Sequence, residues 1–272
     1  MRFSRVLFTG ATVMVVVLSL LPFVWFADTS LKTEKEVTSI PPVLLPSGTL
    51  DFYRSSIEHY DLLHFIKNSL IVAGSTTFIT IMLAILAGYA LARLRMRYKG
   101  VVMGALLAVS MFPQISIAGP VWRILQHLGW LNSYQGLIAP YVTLTLPLGV
   151  WVLASFFREL PAELEDAARI DGCGHLQTLF RIIVPLAAPG VFTAAILVFI
   201  YAWNEFFFAL LIMTRQSYQT LPVGIALFQG QYTMPWGEIA AASTIATVPL
   251  VLLVFLFQKR IVRGLSAGAI KG

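Results

Sequence analysis

Two uncharged runs limit what this chain can fold into. Val6 to Phe26 carries no charged residue over 21 positions, and Asn68 to Ala92 carries none over 25. A helix rises about 1.5 Å per residue, so about 20 apolar residues cross the roughly 30 Å hydrocarbon core of a bilayer. The rest of the chain has the same character. Only 12% of its 272 residues are charged and 58% are hydrophobic, with a mean hydropathy of +0.80, whereas soluble domains carry about 25% charged residues. The fold class is therefore all-α, a polytopic integral membrane protein.

Taken in order, the sequence predicts six spans in a single transmembrane domain over residues 1–272, near 6–27, 68–92, 101–122, 137–157, 190–213 and 239–258. The first is read as a retained span, because a secretory core is only about 7 to 15 residues and no small-x-small cleavage pattern follows. Asp28 to Lys67 is polar and contains Pro41, Pro42 and Pro46, which suggests an external segment with an extended portion. Pro113 and Pro120 fall in the third span, Pro140 and Pro147 in the fourth, and Pro249 in the sixth. Such prolines are tolerated where neighbouring groups satisfy the freed backbone, so the spans are expected to be kinked and packed together.

Charge sets the orientation. With an even number of spans, both ends share one side, and the pieces on that side hold 13 of the 19 basic residues, including Arg93, Arg95, Arg97 and Lys99 directly after the second span. By the positive-inside rule that side is the cytoplasm. The net charge of +6 is thus accounted for by span flanks. No basic, aromatic-studded stripe lies outside the spans, so the composition gives no support for nucleic-acid binding. The single cysteine, Cys173, excludes an intrachain disulfide and a cysteine metal cluster.

One long polar island interrupts the second half. In Leu160 to Pro189, Pro161 suits a first helical position, and Glu163, Glu165 and Asp166 follow where the helix dipole favours negative charge. Gly172 and Gly174 end that helix, since glycine supplies positive φ without steric cost. Leu176, Leu179, Phe180 and Ile183 then predict one apolar face of a second short helix before Pro185 and Pro189.

The run Glu165-Asp166-Ala167-Ala168-Arg169-Ile170-Asp171-Gly172, followed by Ile183-Val184-Pro185, resembles the EAA loop in the membrane subunits of bacterial ABC importers. It is most similar to the second permease of the maltose/trehalose type, and the ending Gly264 to Gly272 also fits that branch. The resemblance implies the type I importer permease fold, with a cytoplasmic coupling loop over residues 159–189 and a tail over 259–272. It implies docking on an ATPase subunit through Glu165, Asp166, Ala167, Ala168, Asp171 and Gly172. Asp166 stands where the family usually has Glu, with Glu165 just before it. The implied partners are a second, non-identical permease, two ATP-binding cassette subunits that bind ATP and Mg, an extracytoplasmic solute-binding protein or lipoprotein, a sugar and membrane lipid. The location implied is the inner membrane of a bacterium or archaeon. Gln219, Gln229, Gln231 and Tyr232, in the external loop from Arg215 to Glu238, become candidates for binding-protein contact, and the tail becomes a candidate for entry between the ATPase subunits.

The chemistry is otherwise sparse. There is no Gly-x-x-x-x-Gly-Lys-Ser/Thr phosphate loop, so this chain is expected to bind no cofactor and to leave ATP hydrolysis to another. His59, His64, His127 and His175 show no metal-ligand spacing, and no metal site is expected. The one acid inside a span is Glu205, in Tyr201-Ala202-Trp203-Asn204-Glu205. An ionisable group at membrane depth costs about 2.5 to 3.5 kcal/mol, so it should face protein or a wet cavity. Tyr201, Trp203, Asn204 and Glu205 are therefore either solute-pathway residues or a structural link between helices. The reading is a permease subunit of an ATP-driven, binding-protein-dependent sugar importer, which performs no bond chemistry. Two alternatives remain: the same machinery moving a non-sugar solute such as a glycerol phosphodiester, and an intramembrane transferase, for which the sequence offers too few clustered acids, bases or nucleophiles.

Overall fold

The computed structural model describes residues 2–228 and 234–269, with side chains from 8 to 228 and from 234 to 258. The helices in chain order are α1 (Arg2–Ser30), α2 (Glu34–Val37), α3 (Asp51–Glu58), α4 (Leu62–Arg93), α5 (Lys99–Ser110), α6 (Gln114–His127) and α7 (Tyr134–Glu159). They continue with α8 (Glu163–Ile170), α9 (His175–Thr178), a π-turn (Leu179–Ile183), α10 (Val184–Leu186), α11 (Ala188–Asn204), α12 (Phe207–Ile212), α13 (Leu221–Ala226) and α14 (Trp236–Ala269). Among the described residues there is no strand.

Four helices are long and apolar enough to cross a bilayer alone, and the number rises to six if two bent pairs each count as one span. The bent pairs refine the sequence reading. The third span turns by 90° between α5 and α6, where Pro113 has no N–H to continue a helix. The fifth is broken twice. The chain turns by 82° between His175–Leu186 and α11, and α11 then stops at Asn204, short of the expected 213. By contrast, α14 passes through Pro249 and runs to Ala269, well beyond the expected end at 258.

The chain forms two compact units, residues 1–66 with 223–249 and residues 67–222 with 250–272. In the first, the segment after α1 folds back on itself. Ser30 Oγ and Tyr53 OH are hydrogen-bonded at 2.7 Å, and the amides of Gly48 and Thr49 both donate to Leu31 O. Lys32 pairs with Asp28 and lies 4.9 Å from the Trp25 ring. The Ser47 hydroxyl and the Thr33 amide hold the Glu36 carboxyl down at about 2. The expected extended stretch is residues 38–50, between α2 and α3. The start of α14 joins this unit where Ser55 Oγ donates to Glu238 Oε1 at 3.1 Å.

The second unit holds a core of Ile81, Ala84, Ile85, Tyr89, Val150, Leu153, Phe157, Leu179 and Ile183. Helices in lipid gain little from hydrophobic burial against one another, so close backbone approach through small residues has to supply much of the packing. That is the pattern between α4 and α7. A Cβ on Gly88 would lie 3.2 Å from Ala154 N and from Leu153 Cβ, and one on Gly149 would lie 3.1 Å from Ala84 Cβ. One turn beyond the Ala84–Gly149 contact, the buried Thr80 and Thr145 hydroxyls hydrogen-bond at 2.9 Å. The start of α7 is capped by Ser133, whose Oγ accepts from Gly136 N.

Gly149→Leu should overfill the α4–α7 crossing and cost about 1 to 3 kcal/mol. Gly104→Ala, which adds a Cβ with nothing within 4 Å, should change little. Melting of the two purified variants in detergent checks the pair; equal melting temperatures would refute the crossing.

Candidate docking helix and translocation pathway

Helix α8 is amphipathic because its acidic and small residues alternate with a short inward face. Its first turn carries Glu163, Glu165 and Asp166, and Arg169 lies in its last. The helix begins at Glu163 after the N-cap Ala162, so Pro161 precedes it by two residues instead of starting it. Its C-terminus is a Schellman motif. Cys173 N donates to Ala168 O at 2.8 Å and Gly172 N to Arg169 O at 3.0 Å, with Gly172 at φ +77°. This is the glycine-dependent turn that the sequence predicts.

The structure divides the six docking candidates. Asp166, Ala167, Asp171 and Gly172 are exposed. Glu165 and Ala168 are 9% and 1% exposed and face the chain's own interior. Glu165 Oε1 lies 3.3 Å from Arg93 Nε, at the end of α4, and Arg169 is 3.9 Å from the other carboxylate oxygen. Asp166 makes an exposed pair with Arg169 at 3.0 Å. Beneath α8 lies a cavity of about 140 Å³, lined by Tyr89, Glu165, Arg169, Cys173, Gly174, His175 and Thr178.

The helical stretch after Gly174 corrects a predicted face. Leu179 and Ile183 are buried, but Leu176 and Phe180 are 64% and 45% exposed. The four residues form two stripes of spacing four, and the π-turn at Leu179–Ile183 carries one stripe inward and leaves the other outside. Ile170, at the tip of α8, is 87% exposed. It is absent from the sequence-based set, although its place off the Leu164–Ala168 face marks it as an apolar residue with no internal neighbour to pack against.

The four pathway candidates also separate. Trp203 is 2% exposed and stacks on Phe199 with ring centroids 5.6 Å apart. Tyr201 is half-buried, and its hydroxyl accepts from Gln114 Nε2 at 2.6 Å. Asn204 is exposed and its Nδ2 donates to Ile200 O at 2.8 Å. Glu205 is 8% exposed. Its Oε1 accepts from Phe208 N at 3.0 Å, and its Oε2 accepts from Ala209 N at 3.2 Å and from the Tyr141 hydroxyl. The carboxylate thus satisfies backbone donors freed by the break between α11 and α12 and ties that break to α7. Of the two sequence-based alternatives, this geometry gives Glu205 the structural one.

In the loop from Arg215 to Glu238, Gln219 is buried. Its carbonyl accepts from Asn68 Nδ2 at 2.8 Å, and Leu221 N donates to Ser69 Oγ at 2.7 Å. The segment leading to α13 is therefore pinned to α4, and the Gln219 side chain is withdrawn from the surface expected to meet a binding protein. Gln229, Gln231 and Tyr232 lie outside the described residues, as do the last three residues of the tail.

Removing the Glu205 carboxylate leaves buried donors without acceptors, at about 1 to 3 kcal/mol each. Glu205→Leu should accordingly lower the melting temperature of the purified protein sharply. Glu205→Gln, which keeps one oxygen acceptor, should lower it less. Unchanged melting in Glu205→Leu would show that the capping contacts contribute nothing.

The family model described as a binding-protein-dependent transport system inner membrane component matches residues 80–267. The trehalose/maltose transport system permease protein of Thermococcus litoralis is 44% identical over 279 residues, covering 99% of this chain and 98% of that protein. The sulfoquinovosyl glycerol transport system permease protein of Agrobacterium fabrum is 44% identical over 254 residues, covering 93% and 89%. Among solved structures, a bacterial ABC transporter involved in the import of the acidic polysaccharide alginate contains a chain with a TM-score of 0.81 and 20% identity, covering 95% of this chain and 96% of that one. With its bent spans, its EAA-type loop and these similarities along nearly its whole length, the chain belongs to the family of binding-protein-dependent transport system inner membrane components.

Proposed function

We propose that this chain is a permease subunit of an ATP-driven sugar importer that takes up a di- or oligosaccharide of the trehalose/maltose type. The observation that carries the reading is the 44% identity, over 99% of the chain, to a trehalose/maltose permease. In this reading the chain forms part of the pathway wall beside a second, non-identical permease and receives solute from an extracytoplasmic binding protein. ATP and Mg bind on two separate ATPase subunits. The exposed surface of α8, with Asp166, Ala167, Ile170, Asp171 and Gly172, seats on one of them, while Glu165 and Ala168 hold the helix to its own chain. Tyr201 with Gln114, and Asn204, are the polar groups of the broken span offered to solute. Both termini and the α8 loop lie in the cytoplasm, as the basic flanks support. The equal identity to a sulfoquinovosyl glycerol permease favours a second reading, in which the solute is a glycosyl glycerol.

Uptake of labelled trehalose and maltose into cells carrying and lacking the chain tests the first reading. Competition by unlabelled sulfoquinovosyl glycerol separates the two. Loss of saturable disaccharide uptake on deletion is the expected result, and uptake that is unaffected by deletion would overturn it.

Topology gives an independent check. Cys173 is the only cysteine, so a membrane-impermeant thiol reagent should modify the chain in inside-out vesicles and spare it in intact cells. A Ser47→Cys variant should react from outside. Labelling of the native chain in intact cells would invert the orientation.

Gly172→Val places a β-branched residue at φ +77°, a strain of about 1 to 3 kcal/mol. The variant should insert normally yet lose the ATPase subunits on purification, or keep them with hydrolysis no longer stimulated by loaded binding protein. Normal uptake at matched expression would reduce α8 to a surface connector.

A further inference from the structure

The contact between α4 and α8 has a mechanical consequence that goes beyond docking. Arg93 is the last residue of α4, and its side chain makes two attachments to the loop. Nη2 donates to the carbonyl of Leu160, in the linker between α7 and α8. Nε faces Glu165 Oε1, inside α8, at 3.3 Å. Both side chains are nearly enclosed, at 12% and 11% exposure, so the pair is shielded from the screening that makes surface ion pairs worth little. Tyr89, one turn earlier on α4, lines the cavity beneath α8 beside Glu165 and meets the Phe157 ring of α7 edge-on, with centroids 6.4 Å apart.

Covalently, α8 is joined only to α7 before it and to the helical stretch after Gly174. From this geometry we infer that Arg93 is a positioning residue: its clamp on Leu160 and Glu165 is a second, non-covalent linkage that delivers movement of the docking helix to the cytoplasmic end of α4. The inference rests on the reading of α8 as the ATPase-docking element. The form of the contact suits a moving joint. Arg93 Nε and Glu165 Oε1 form no hydrogen bond with any partner, so charge holds them without a directional bond. Coulombic attraction falls only as the inverse of distance, so it survives a small slide that would break a hydrogen bond. The cavity of about 140 Å³ beside Glu165 leaves room for such a slide. Glu165 is thereby assigned to the joint, and the acidic residues left exposed in the same turn are Glu163 and Asp166.

The test uses the complete transporter, with its partner permease, ATPase subunits and binding protein, in proteoliposomes. Arg93→Met keeps the length of the side chain and removes its charge and donors. It should co-purify with the ATPase subunits and retain their basal hydrolysis, while solute moved per ATP hydrolysed falls to about a tenth or less as the buried pair is broken. Arg93→Lys keeps the charge but not the planar fork, and should hold that ratio within about threefold of the parent. The second readout needs no solute. Cys173 lines the cavity beside Glu165, so Arg93→Met should raise its modification rate about fivefold or more as α8 opens locally, and Arg93→Lys should bring it back. The linkage requires both readouts to move together. An unchanged transport ratio, an unchanged Cys173 rate, or loss of the ATPase subunits in Arg93→Met would each overturn it. If the parent complex moves none of the sugars tested, the solute assignment fails separately. The linkage then stands or falls on the Cys173 rates of the two variants in the intact complex.

Discussion

A chain in hydrocarbon must satisfy its own backbone hydrogen bonds, and the architecture here follows from where that rule is kept and where it is locally suspended. The long helix α4 keeps it by running without an internal proline, and α7 and α14 continue as helices through Pro140, Pro147 and Pro249, each of which omits one bond. Each break in a span comes with substitute partners. At the α5–α6 bend, the amides of Met111 and Phe112 turn back to Ala108 and Val109 carbonyls, and Ser116 N finds Pro113 O. At the end of α11, a side chain does the work: the Glu205 carboxylate accepts from Phe208 N and Ala209 N. A buried charge that would be costly in isolation is stabilised because it receives three donors at a helix start, where the backbone dipoles favour it.

This arrangement explains how so conspicuous an acid is accommodated inside the span. Glu205 fixes the shape of the broken span and links it to α7 through Tyr141. Of the residues before it, Tyr201 accepts from Gln114 through its hydroxyl and Asn204 is exposed. The ionisable residue in this span thus shapes and stabilises the break itself.

The same economy appears in α8. One face of a short helix is given to the chain, through Glu165 and Ala168, and the opposite face is left open, through Asp166, Ala167, Ile170 and Gly172. A helix of only eight residues has little stability of its own, so its inward face and its glycine-terminated end hold it in shape. Exposed Leu176, Phe180 and Leu186 continue the apolar surface beyond it.

Membership of the all-helical membrane class, the approximate places of the spans and the loop carrying Asp166 to Gly172 were legible in the sequence. Span length, charge asymmetry and the need for positive φ are local properties, written in consecutive residues. The turn at Gly172 was visible for that reason. The division of Glu165 from Asp166 was not, because it depends on Arg93, which lies 72 positions before Glu165 and is brought to it only by the packing of α4 against α7. The inward turn of Leu179 and Ile183 and the outward turn of Leu176 and Phe180 depend on a π-turn that periodicity at 3.6 does not register. The burial of Gln219 was not legible either, because it depends on Asn68 and Ser69 of α4, which bind its segment. The sequence by itself therefore determined which residue types had to sit in lipid, at turns and on the basic side. Only the tertiary structure decided which face of each helix was taken up by the chain itself and which was left exposed, because burial is set by neighbours distant along the chain.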